Sequence, residues 1–416
     1  MSGIAIKQKK SPAVPVRPLS GIRVLDFTHG GAGPLLTKTL GDFGAEVVKV
    51  ESRDHLDFPR TLPPYADKIP GVNRSSYFTN RNSSKRSILL DLKHKEGLSV
   101  AKALAIKADI IVNSFRGGVL EGLGLGYSAV AAENPGVIHL SMPMSPTSGP
   151  SASHRGVGRT ITGMTGIHAL TGYADGEVTG PGTHFPDHAA NPGHGLVGIL
   201  AALHARRKTG RGACIELAQV HSTLQLLGPA IIAAAETGRD PAPIGNQSPH
   251  AVFSGALNAR DGWFAVSIPV AGDLARVADA IGIKGKFKLA AAKPGEVAHL
   301  SATGRYRLDD WASSRCRDEC VAVLQALGLP AARIEDAKGV SEDYPELWSV
   351  GHLVRLPHPE MGDAVYNAPP IRRRDGMEPS LACAPLIGQH TTEILADWLG
   401  MPEEAVQKLQ EIGAVE

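Results

Sequence analysis

The chain has 416 residues, of which 43% are hydrophobic and 20% charged, an ordinary globular composition with enough apolar side chains for a full core. At about 100–200 residues per domain, this length favours two or three domains. The formal net charge of +2 is too small to favour nucleic acid as a partner. The cysteines are too scattered for a zinc site or a disulfide scaffold and indicate a reducing compartment; they are Cys214, Cys316, Cys320 and Cys383.

Residues 1–20 are predicted to form a flexible N-terminal arm. They contain basic residues but lack the apolar core of roughly 7–15 residues that a signal peptide requires. The best apolar run, residues 226–235, is shorter than the roughly 20 residues that span a membrane. The sequence therefore predicts a cytoplasmic protein with no membrane partner.

Residues 21–225 alternate between short β-rich runs and helical stretches, which is typical of a parallel sheet covered on both faces. With right-handed crossovers this pattern gives a doubly wound, Rossmann-like α/β domain. The predicted strands lie at 22–27, 46–51, 87–91, 109–113, 137–142 and 214–218, and the predicted helices at 35–44, 95–108 and 194–208.

The rest of the chain is predicted to hold a smaller inserted domain and a return to the large one. Residues 145–195 are rich in Gly, Pro, Ser and His and are predicted to be a long functional loop. Residues 226–328 are predicted to form a linker and a small α+β domain, and 329–416 to complete the large domain. Their predicted elements are a strand at 263–268 and helices at 272–282, 308–327, 390–399 and 402–412.

The first candidate site is the loop between the first strand and the first helix, formed by His29, Gly30, Gly31 and Ala32. Such a loop can present backbone N–H groups and a helix N-terminus to a phosphate or an oxyanion. Leu36 stands where a dinucleotide fingerprint requires its third glycine, so a nicotinamide dehydrogenase is disfavoured. A tight turn without a ligand would explain the glycines equally well.

Basic residues near strand ends form the second candidate. Arg53 and Arg116 follow predicted strands, and ligands of open α/β sheets bind beyond the carboxyl ends of the strands. Lys85 and Arg86 precede a strand, so their geometry is less evident. All four are candidates for binding an anionic ligand. The alternative is that they are ordinary solvent-exposed residues of a charged surface.

The third candidate is Asp187, which lies in a loop rich in Gly, Pro and His shortly before a helix. A carboxylate can act as a covalent nucleophile, and the N–H groups of a helix start can stabilise charge on an attacked carbonyl. The simpler interpretation is a helix cap. His184, His188 and His194 do not match the H-E-x-x-H pattern, so no metal is expected.

Together these segments resemble the class III CoA transferases, the family of formyl-CoA transferase and carnitine CoA-transferase, which also contains α-methylacyl-CoA racemase. The resemblance runs from about Leu19 to about Leu399. It is carried by LSGIRVLDFTHGGAGP, LGDFGAEVVKVE, YFTNRNSSKRSILLDLK, IIVNSFRGG, GILAALHARRKTGRG, GNQSPHAVFSG and APLIGQHTTEIL, in that order.

The resemblance implies roles for particular residues. The family's catalytic aspartate matches Asp187, its CoA-contacting lysine matches Lys85, and its Asn-Phe pair matches Ser114 and Phe115. It also implies an interlocked homodimer, an acyl-CoA donor and a carboxylic acid acceptor. Coenzyme A is then part of the substrate, and no tightly bound cofactor is expected. The residues expected to bind CoA are Arg53, Lys85, Arg86, Ser114, Phe115 and Arg116.

Several departures bear on the substrate and the reaction. Gly31 stands where formyl-CoA transferase has a glutamine, the asparagine of the Asn-Phe pair is displaced to Asn113, and the glycine-rich lid has no counterpart. These differences argue against formate and oxalate. The main alternative is a racemase that exchanges an α-proton between Asp and His, but Val157 occupies the expected histidine position, and His154 would fit only after a register shift. A non-catalytic CoA-binding subunit is the other alternative.

Overall fold

The computed structural model describes residues 17–173, 176–283, 287–290, 297–371, 379 and 381–416. The chain divides into two compact units. The first comprises the described residues of Met1–Thr165, Gly182–Ile232 and Trp348–Glu416, and the second those of Gly166–Pro181 and Ala233–Leu347. Of the predicted N-terminal arm, residues 1–16 lie outside the described residues.

The strands of both units are short. In chain order they are β1 (Arg23–Phe27), β2 (Glu46–Glu51), β3 (Arg86–Leu89), β4 (Ile110–Asn113), β5 (Ile138–Ser141), β6 (Ala213–Glu216), β7 (Phe253–Ala259), β8 (Gly262–Ile268), β9 (Ala331–Arg333), β10 (Leu353–His358) and β11 (Gly362–Asn367).

The helices range from a single turn to 20 residues. In chain order they are α1 (Ala32–Asp42), α2 (Ser76–Asn82), α3 (Lys95–Lys107), α4 (Val119–Gly122), α5 (Tyr127–Glu133), α6 (Gly158–Met164), α7 (Ile167–Leu170), α8 (Phe185–His188), α9 (Ala190–Thr209), α10 (Gln219–Leu224), α11 (Gly228–Thr237), α12 (Ala271–Ala280), α13 (Ala302–Ser313), α14 (Arg317–Ala326), α15 (Ala337–Glu342), α16 (Pro345–Ser349), α17 (Thr391–Leu399) and α18 (Glu403–Glu411). Short 3₁₀ turns lie at Phe58–Thr61, Ala66–Lys68 and Gln225–Leu227.

The first unit is built on a six-stranded sheet in the order β3-β2-β1-β4-β5-β6. Every neighbouring pair is parallel. Chain order reverses between β1 and β4, as in a doubly wound sheet. The predicted parallel α/β sheet is therefore confirmed.

Both faces of this sheet are covered by helices, which explains why its central strands are almost continuously apolar. Along β1, Val24 packs with side chains of α1 and α9 on one face. The next residue, Leu25, packs with side chains of α3 and α17 on the other. Helix α17 comes from the C-terminal part of the chain, so segments far apart in sequence complete one core.

The second unit contains the antiparallel sheet β7-β8-β9. One face of this sheet packs on α12, α13 and α14, where Phe264 and Trp311 meet edge to face with ring centroids 6.5 Å apart. The hairpin β10-β11 belongs to the first unit. No helix among the described residues is both long enough and apolar enough to cross a membrane.

Two predicted elements were wrong in detail. The single helix predicted at 308–327 is two helices, α13 and α14, because Cys316 adopts an extended conformation and its N–H is capped by the Glu319 carboxylate at 3.3 Å. The loop predicted at 145–195 contains the short helices α6, α7 and α8, and α9 already begins at Ala190. Asp187 accordingly lies in a one-turn helix rather than in a loop.

Candidate active site

The candidate site lies at the carboxyl ends of β1 and β4, where the strand order reverses. The loop after β1, residues Thr28–Gly31, is called the first loop below. Its His29 N–H donates to the Ser114 hydroxyl, in the loop after β4, at 3.0 Å. A crevice at this position is where open α/β sheets bind ligands.

Buried charged side chains form hydrogen bonds with the backbone of the first loop. The Lys49 ammonium donates to the Thr28 carbonyl at 2.8 Å and pairs with Asp57 at 2.9 Å. The Asp57 carboxylate in turn accepts from the Gly30 N–H at 2.7 Å. Gly30 has a φ of +86°, and a Cβ there would lie 2.9 Å from the Phe58 ring. Only glycine fits this backbone path without strain.

Lys85 belongs to the same buried support. Its ammonium donates to Asp26 at 3.0 Å, to the Pro34 carbonyl at 2.9 Å and to the Asn82 amide oxygen at 2.8 Å. Its side chain is fully buried, and burial lowers the pKa of Lys85 to about 8. Burial alone would raise the pKa of Asp26, but the Lys85 and Lys49 ammonium groups hold it at about 2. All three N–H groups of the Lys85 ammonium thus donate to acceptors within the protein. The predicted contact of Lys85 with CoA stays a prediction.

Asp187 faces the first loop across a narrow gap. A Cβ on Gly31 would lie 3.0 Å from the Asp187 Cβ and 3.3 Å from Oδ2, and a Cβ on Gly158 would lie 2.5 Å from Oδ2. The Asp187 carboxylate accepts from the Asn191 amide at 3.3 Å. The N-cap of α9 is Ala189, so Asp187 does not cap that helix. Burial raises the pKa of Asp187, opposed by His184, Asn191 and Arg81.

A cavity of about 270 Å³ opens in front of Asp187. It is lined by the first loop, by Ser114 and Phe115, by Val157 and Gly158, and by Gln219. Of the predicted site residues, the structure brings His29, Gly30, Gly31, Ala32, Ser114, Phe115 and Asp187 to this cavity.

Histidines flank the carboxylate. The His184 Nδ1 would lie 3.0 Å from a Cβ on Gly158, the same point that approaches Asp187 Oδ2. The His188 Nε2 lies 3.0 Å from Nη2 of Arg81, which can only donate. Burial, aided by Arg81 and His184, lowers the pKa of His188 to about 4. Within the described parts of the chain, no three His, Cys, Asp or Glu side chains are grouped to hold a metal ion.

A second cavity of about 450 Å³ lies beside the first, and His29 and Phe115 line both. Its wall is largely apolar and includes Leu90, Leu92 and Val119. Polar side chains at the cavity include Ser52 and Lys93. The two cavities together offer room for a long ligand with an apolar end.

The other predicted basic residues are not brought together at the cavities. Arg53 is exposed and pairs with Glu416, and Arg116 is exposed next to Phe115. Arg86 begins β3 and pairs with Glu46, Glu393 and Asp397, which places it at the amino ends of the strands, opposite the site. The predicted contact of Arg86 with CoA gains no support from this position.

Three residues near Asp187 were missed from the sequence: Gly158, Asn191 and Gln219. Gly158 sits in a glycine-rich stretch that gives no sign of which glycine approaches the carboxylate. Asn191 follows Asp187 by four residues, but the two lie on different helices, α8 and α9, so helical spacing does not link them. Gln219 comes from α10, and no local pattern links it to the site.

A sequence profile described as CoA-transferase family III matches residues 19–391. The chain therefore belongs to CoA-transferase family III, as the motifs predicted, and the prediction of a CoA-transferring enzyme is confirmed.

Proteins named as CoA-transferases match over nearly the whole chain. Succinyl-CoA:glutarate CoA-transferase of Mus musculus is 30% identical, covering 100% of this chain and 94% of the relative. Succinyl-CoA–D-citramalate CoA-transferase of Chloroflexus aurantiacus is 30% identical over 95% of this chain and 98% of the relative. The crystal structure of a CAIB/BAIF family protein from Brucella suis aligns with a TM-score of 0.81 and 30% identity, covering 92% of this chain and 100% of that one.

Proposed function

We propose that this protein moves CoA from an acyl-CoA thioester to a carboxylic acid through a covalent intermediate on Asp187. The observation that carries the proposal is the placement of the Asp187 carboxylate. Its Oδ2 faces Gly31 and Gly158 at the edge of a cavity in the crevice of the sheet. The absence of side chains on these two glycines leaves room for an acyl carbon to approach that oxygen.

The family resemblance implies the steps. The Asp187 carboxylate attacks the thioester carbonyl, forming an acyl-aspartyl anhydride and releasing CoA thiolate. The thiolate attacks the aspartyl carbonyl, giving an aspartyl-CoA thioester and releasing the donor acid. The acceptor carboxylate then attacks this thioester, forming a new anhydride and thiolate, and the thiolate attacks the acceptor's acyl carbonyl. The products are a new acyl-CoA and the regenerated Asp187 carboxylate.

The first loop is suited to stabilise the oxyanions of these steps only where it meets α1, because the N–H groups of Thr28, His29 and Gly30 already donate to protein side chains. It leads into α1, whose first N–H groups have no partner within the helix and carry partial positive charge. Gly31 is the N-cap of α1 and lies beside Asp187. Oriented backbone donors at such a position are worth about 10²–10³-fold in rate.

CoA would occupy both cavities. We place the reacting thioester in the smaller cavity with Asp187 and the adenine end in the larger, apolar cavity, because His29 and Phe115 line both. Lys93 lines the larger cavity and is the cation best suited to meet a phosphate. Arg53 and Arg116 are exposed and line neither cavity, so their predicted contacts with CoA stay predictions.

We propose succinyl-CoA as the first donor to test, with dicarboxylic acids as acceptors. Two relatives of 30% identity over nearly their full lengths carry succinyl-CoA in their names. Formyl-CoA:oxalate CoA-transferases are comparably similar, at 29% for that of Rhodopseudomonas palustris HaA2. The resemblance weighs against that pair, because Gly31 replaces the glutamine of formyl-CoA transferase. A screen of succinyl-, acetyl- and aromatic acyl-CoA donors against carboxylic acids would identify the pair.

Asp187→Asn tests the covalent mechanism. The amide cannot form an anhydride, so we expect CoA transfer by the purified chain to fall by several orders of magnitude while CoA binding persists. Wild-type protein incubated with donor should carry an adduct on the peptide containing Asp187, trappable by hydroxylamine and visible by mass spectrometry. The matched control is Asp336→Asn, because Asp336 caps α15 and Asn caps about as well.

Three outcomes would contradict the proposal: full activity in Asp187→Asn, an adduct on another residue, or no transfer by the wild-type chain alone. The last would favour a non-catalytic CoA-binding subunit.

One observation favours a racemase as the second candidate. His184 Nδ1 and Asp187 Oδ2 both approach the same point beside Gly158, as a pair of bases exchanging an α-proton would. The position expected to hold a racemase histidine is Val157, which lines the cavity. Fast α-deuterium incorporation into a chiral 2-methylacyl-CoA in deuterated water, without an acceptor acid, would favour this candidate over CoA transfer.

A further inference from the structure

We propose that Asn191 is a positioning residue, which holds one oxygen of the Asp187 carboxylate so that the other faces the acyl group, and that Gln219 fixes the direction in which Asn191 donates. The inference rests on the proposed function of Asp187 as the nucleophile. It adds a role for residues that no motif in the sequence singles out.

Asn191 lies in the first turn of α9 and is fully buried. Its Nδ2 is 3.3 Å from Oδ1 of Asp187 and 3.1 Å from Oε1 of Gln219. Its Oδ1 accepts from the Ser222 hydroxyl. All the polar atoms of this buried amide are thus engaged, as burial requires.

The direction of each hydrogen bond follows from one backbone carbonyl. The Gln219 amide reaches the Met142 carbonyl at 2.8 Å, and a carbonyl can only accept, so the NH₂ end of Gln219 must face it. The Oε1 of Gln219 then faces Asn191 and needs a donor. Asn191 must therefore turn its NH₂ end towards Gln219, and the same NH₂ group meets Asp187.

This arrangement distinguishes the two carboxylate oxygens. Oδ1 of Asp187 is held by Asn191, whereas Oδ2 faces Gly31 and Gly158. Met142 directly follows β5. The hydrogen bonds through Gln219 and Asn191 therefore connect the Asp187 carboxylate to the central sheet. A misplacement of about 1 Å in a reacting group can cost roughly 10²-fold in rate.

Asn191→Leu removes the donor while keeping a similar volume. We expect the rate of adduct formation on Asp187, measured by quenched-flow mass spectrometry, to fall about 100-fold, with CoA affinity nearly unchanged. The pH profile gives a second readout. Burial raises the pKa of Asp187, while His184, Asn191 and Arg81 lower it, so losing the Asn191 donor raises the pKa further. Since the nucleophile is the ionised carboxylate, the acid limb of the profile should move to higher pH.

The matched control is Asn134→Leu, which removes a half-buried side-chain amide that donates to the Ile106 and Ala108 carbonyls. It should cost stability without moving the pH profile. Should Asn191→Leu fail to fold, Gln219→Leu carries the test, because Gln219 is joined to Asp187 through Asn191. We then expect a smaller loss, about 10-fold, with the same direction of pH shift.

The outcomes separate this inference from the proposed function. A wild-type enzyme that forms no adduct on Asp187 refutes the proposed function. A wild-type adduct combined with unchanged adduct formation and an unchanged pH profile in the folded Asn191 or Gln219 variant overturns the positioning role alone.

Discussion

At the scale of single residues, the space around Asp187 exists because two of its neighbours are glycines, which have no side chains. Gly31 ends the first loop and Gly158 begins α6. A Cβ on Gly31 would lie 3.0 Å from the Asp187 Cβ and 3.3 Å from Oδ2, and a Cβ on Gly158 would lie 2.5 Å from Oδ2. Most real Cβ contacts are longer, so a side chain at either position would displace Asp187, the proposed nucleophile. Both glycines are thus explained by close approach rather than by backbone conformation.

Gly158→Ala tests this interpretation. The new methyl group would lie 2.5 Å from Oδ2 of Asp187, so the carboxylate must turn away. We expect turnover to fall roughly 100-fold, while the free energy of unfolding changes by no more than about 1 kcal/mol, as measured by urea denaturation. In the control Gly272→Ala, the methyl group enters open space, and activity should match wild type. Equal activity in both variants would contradict the proposed crowding.

The family motifs single out Asp187 in the sequence, and the structure places it at the smaller cavity, while its catalytic role stays a prediction. The hydrogen-bonding partners of Asp187 could not be predicted from the sequence. Asn191 and Gln219 meet only because α9 and α10 pack together, and tertiary packing of this kind leaves no local pattern. For Lys85 the motif suggested a ligand contact, whereas the structure surrounds its ammonium with three protein acceptors.

At the scale of elements, the buried side chains next to the first loop carry equal numbers of positive and negative charges. Asp26, Glu51 and Asp57 carry three negative charges, and Lys49, Lys85 and Arg60 carry three positive ones. All six side chains are buried, and the pairs are Lys85–Asp26, Lys49–Asp57 and Arg60–Glu51. Removing one member leaves an uncompensated charge, which is far costlier than replacing a whole pair.

Lys85→Met should therefore destabilise the fold. We expect the free energy of unfolding, measured by urea denaturation near pH 7, to fall by about 3–5 kcal/mol, because Asp26 would remain ionised and unpaired. The control Lys338→Met removes a lysine whose side chain is 76% exposed and should cost less than about 1 kcal/mol. Near-native stability combined with strongly weakened CoA binding in Lys85→Met would instead support the contact that the family resemblance implies.

The central strands could be predicted because strands buried on both faces are short, nearly continuous apolar runs, as residues 110–112 of β4 are. The break between α13 and α14 could not be predicted. It depends on a cap formed by Cys316 and on the Asp261 carboxylate, which accepts from the Arg317 N–H at 2.7 Å. Asp261 lies 56 residues earlier in the chain, beyond the reach of any helical periodicity.

At the scale of the whole molecule, two helices present apolar side chains to solvent. No residue of α11 is buried, and its Ile231 and Ile232 are 49% and 63% exposed. In α9, Val197 and Leu200 are 68% and 47% exposed. Clustered exposed apolar side chains are typical of surfaces that bind another protein. They support the homodimer that the family resemblance implies, which remains a proposal.

Ile232→Glu tests that proposal. We expect wild-type protein to sediment as a dimer and the variant to shift towards monomer, because a buried unpaired carboxylate would oppose association. Ile412→Glu is the control, since Ile412 is 52% exposed at the end of α18, away from both helices in sequence. A monomeric wild type, or a fully dimeric Ile232→Glu variant, would contradict the proposed interface.

The hydrogen bond between the first loop and the loop after β4 also affects how the chain folds during synthesis. His29 and Ser114 are 85 residues apart in sequence. Lys49 of β2 donates to the first loop, and Lys85, just before β3, pairs with Asp26 of β1. Because parallel sheets close long loops before their contacts form, such structures fold slowly. During synthesis the first strand would leave the ribosome well before β4 and α9 exist. The charged partners beneath the first loop all lie within residues 26–85 and are made before β4. Their burial, however, is incomplete until β4 pairs with β1 and α9 packs on the sheet, so the chain depends on its later residues, or on chaperones, to protect its beginning.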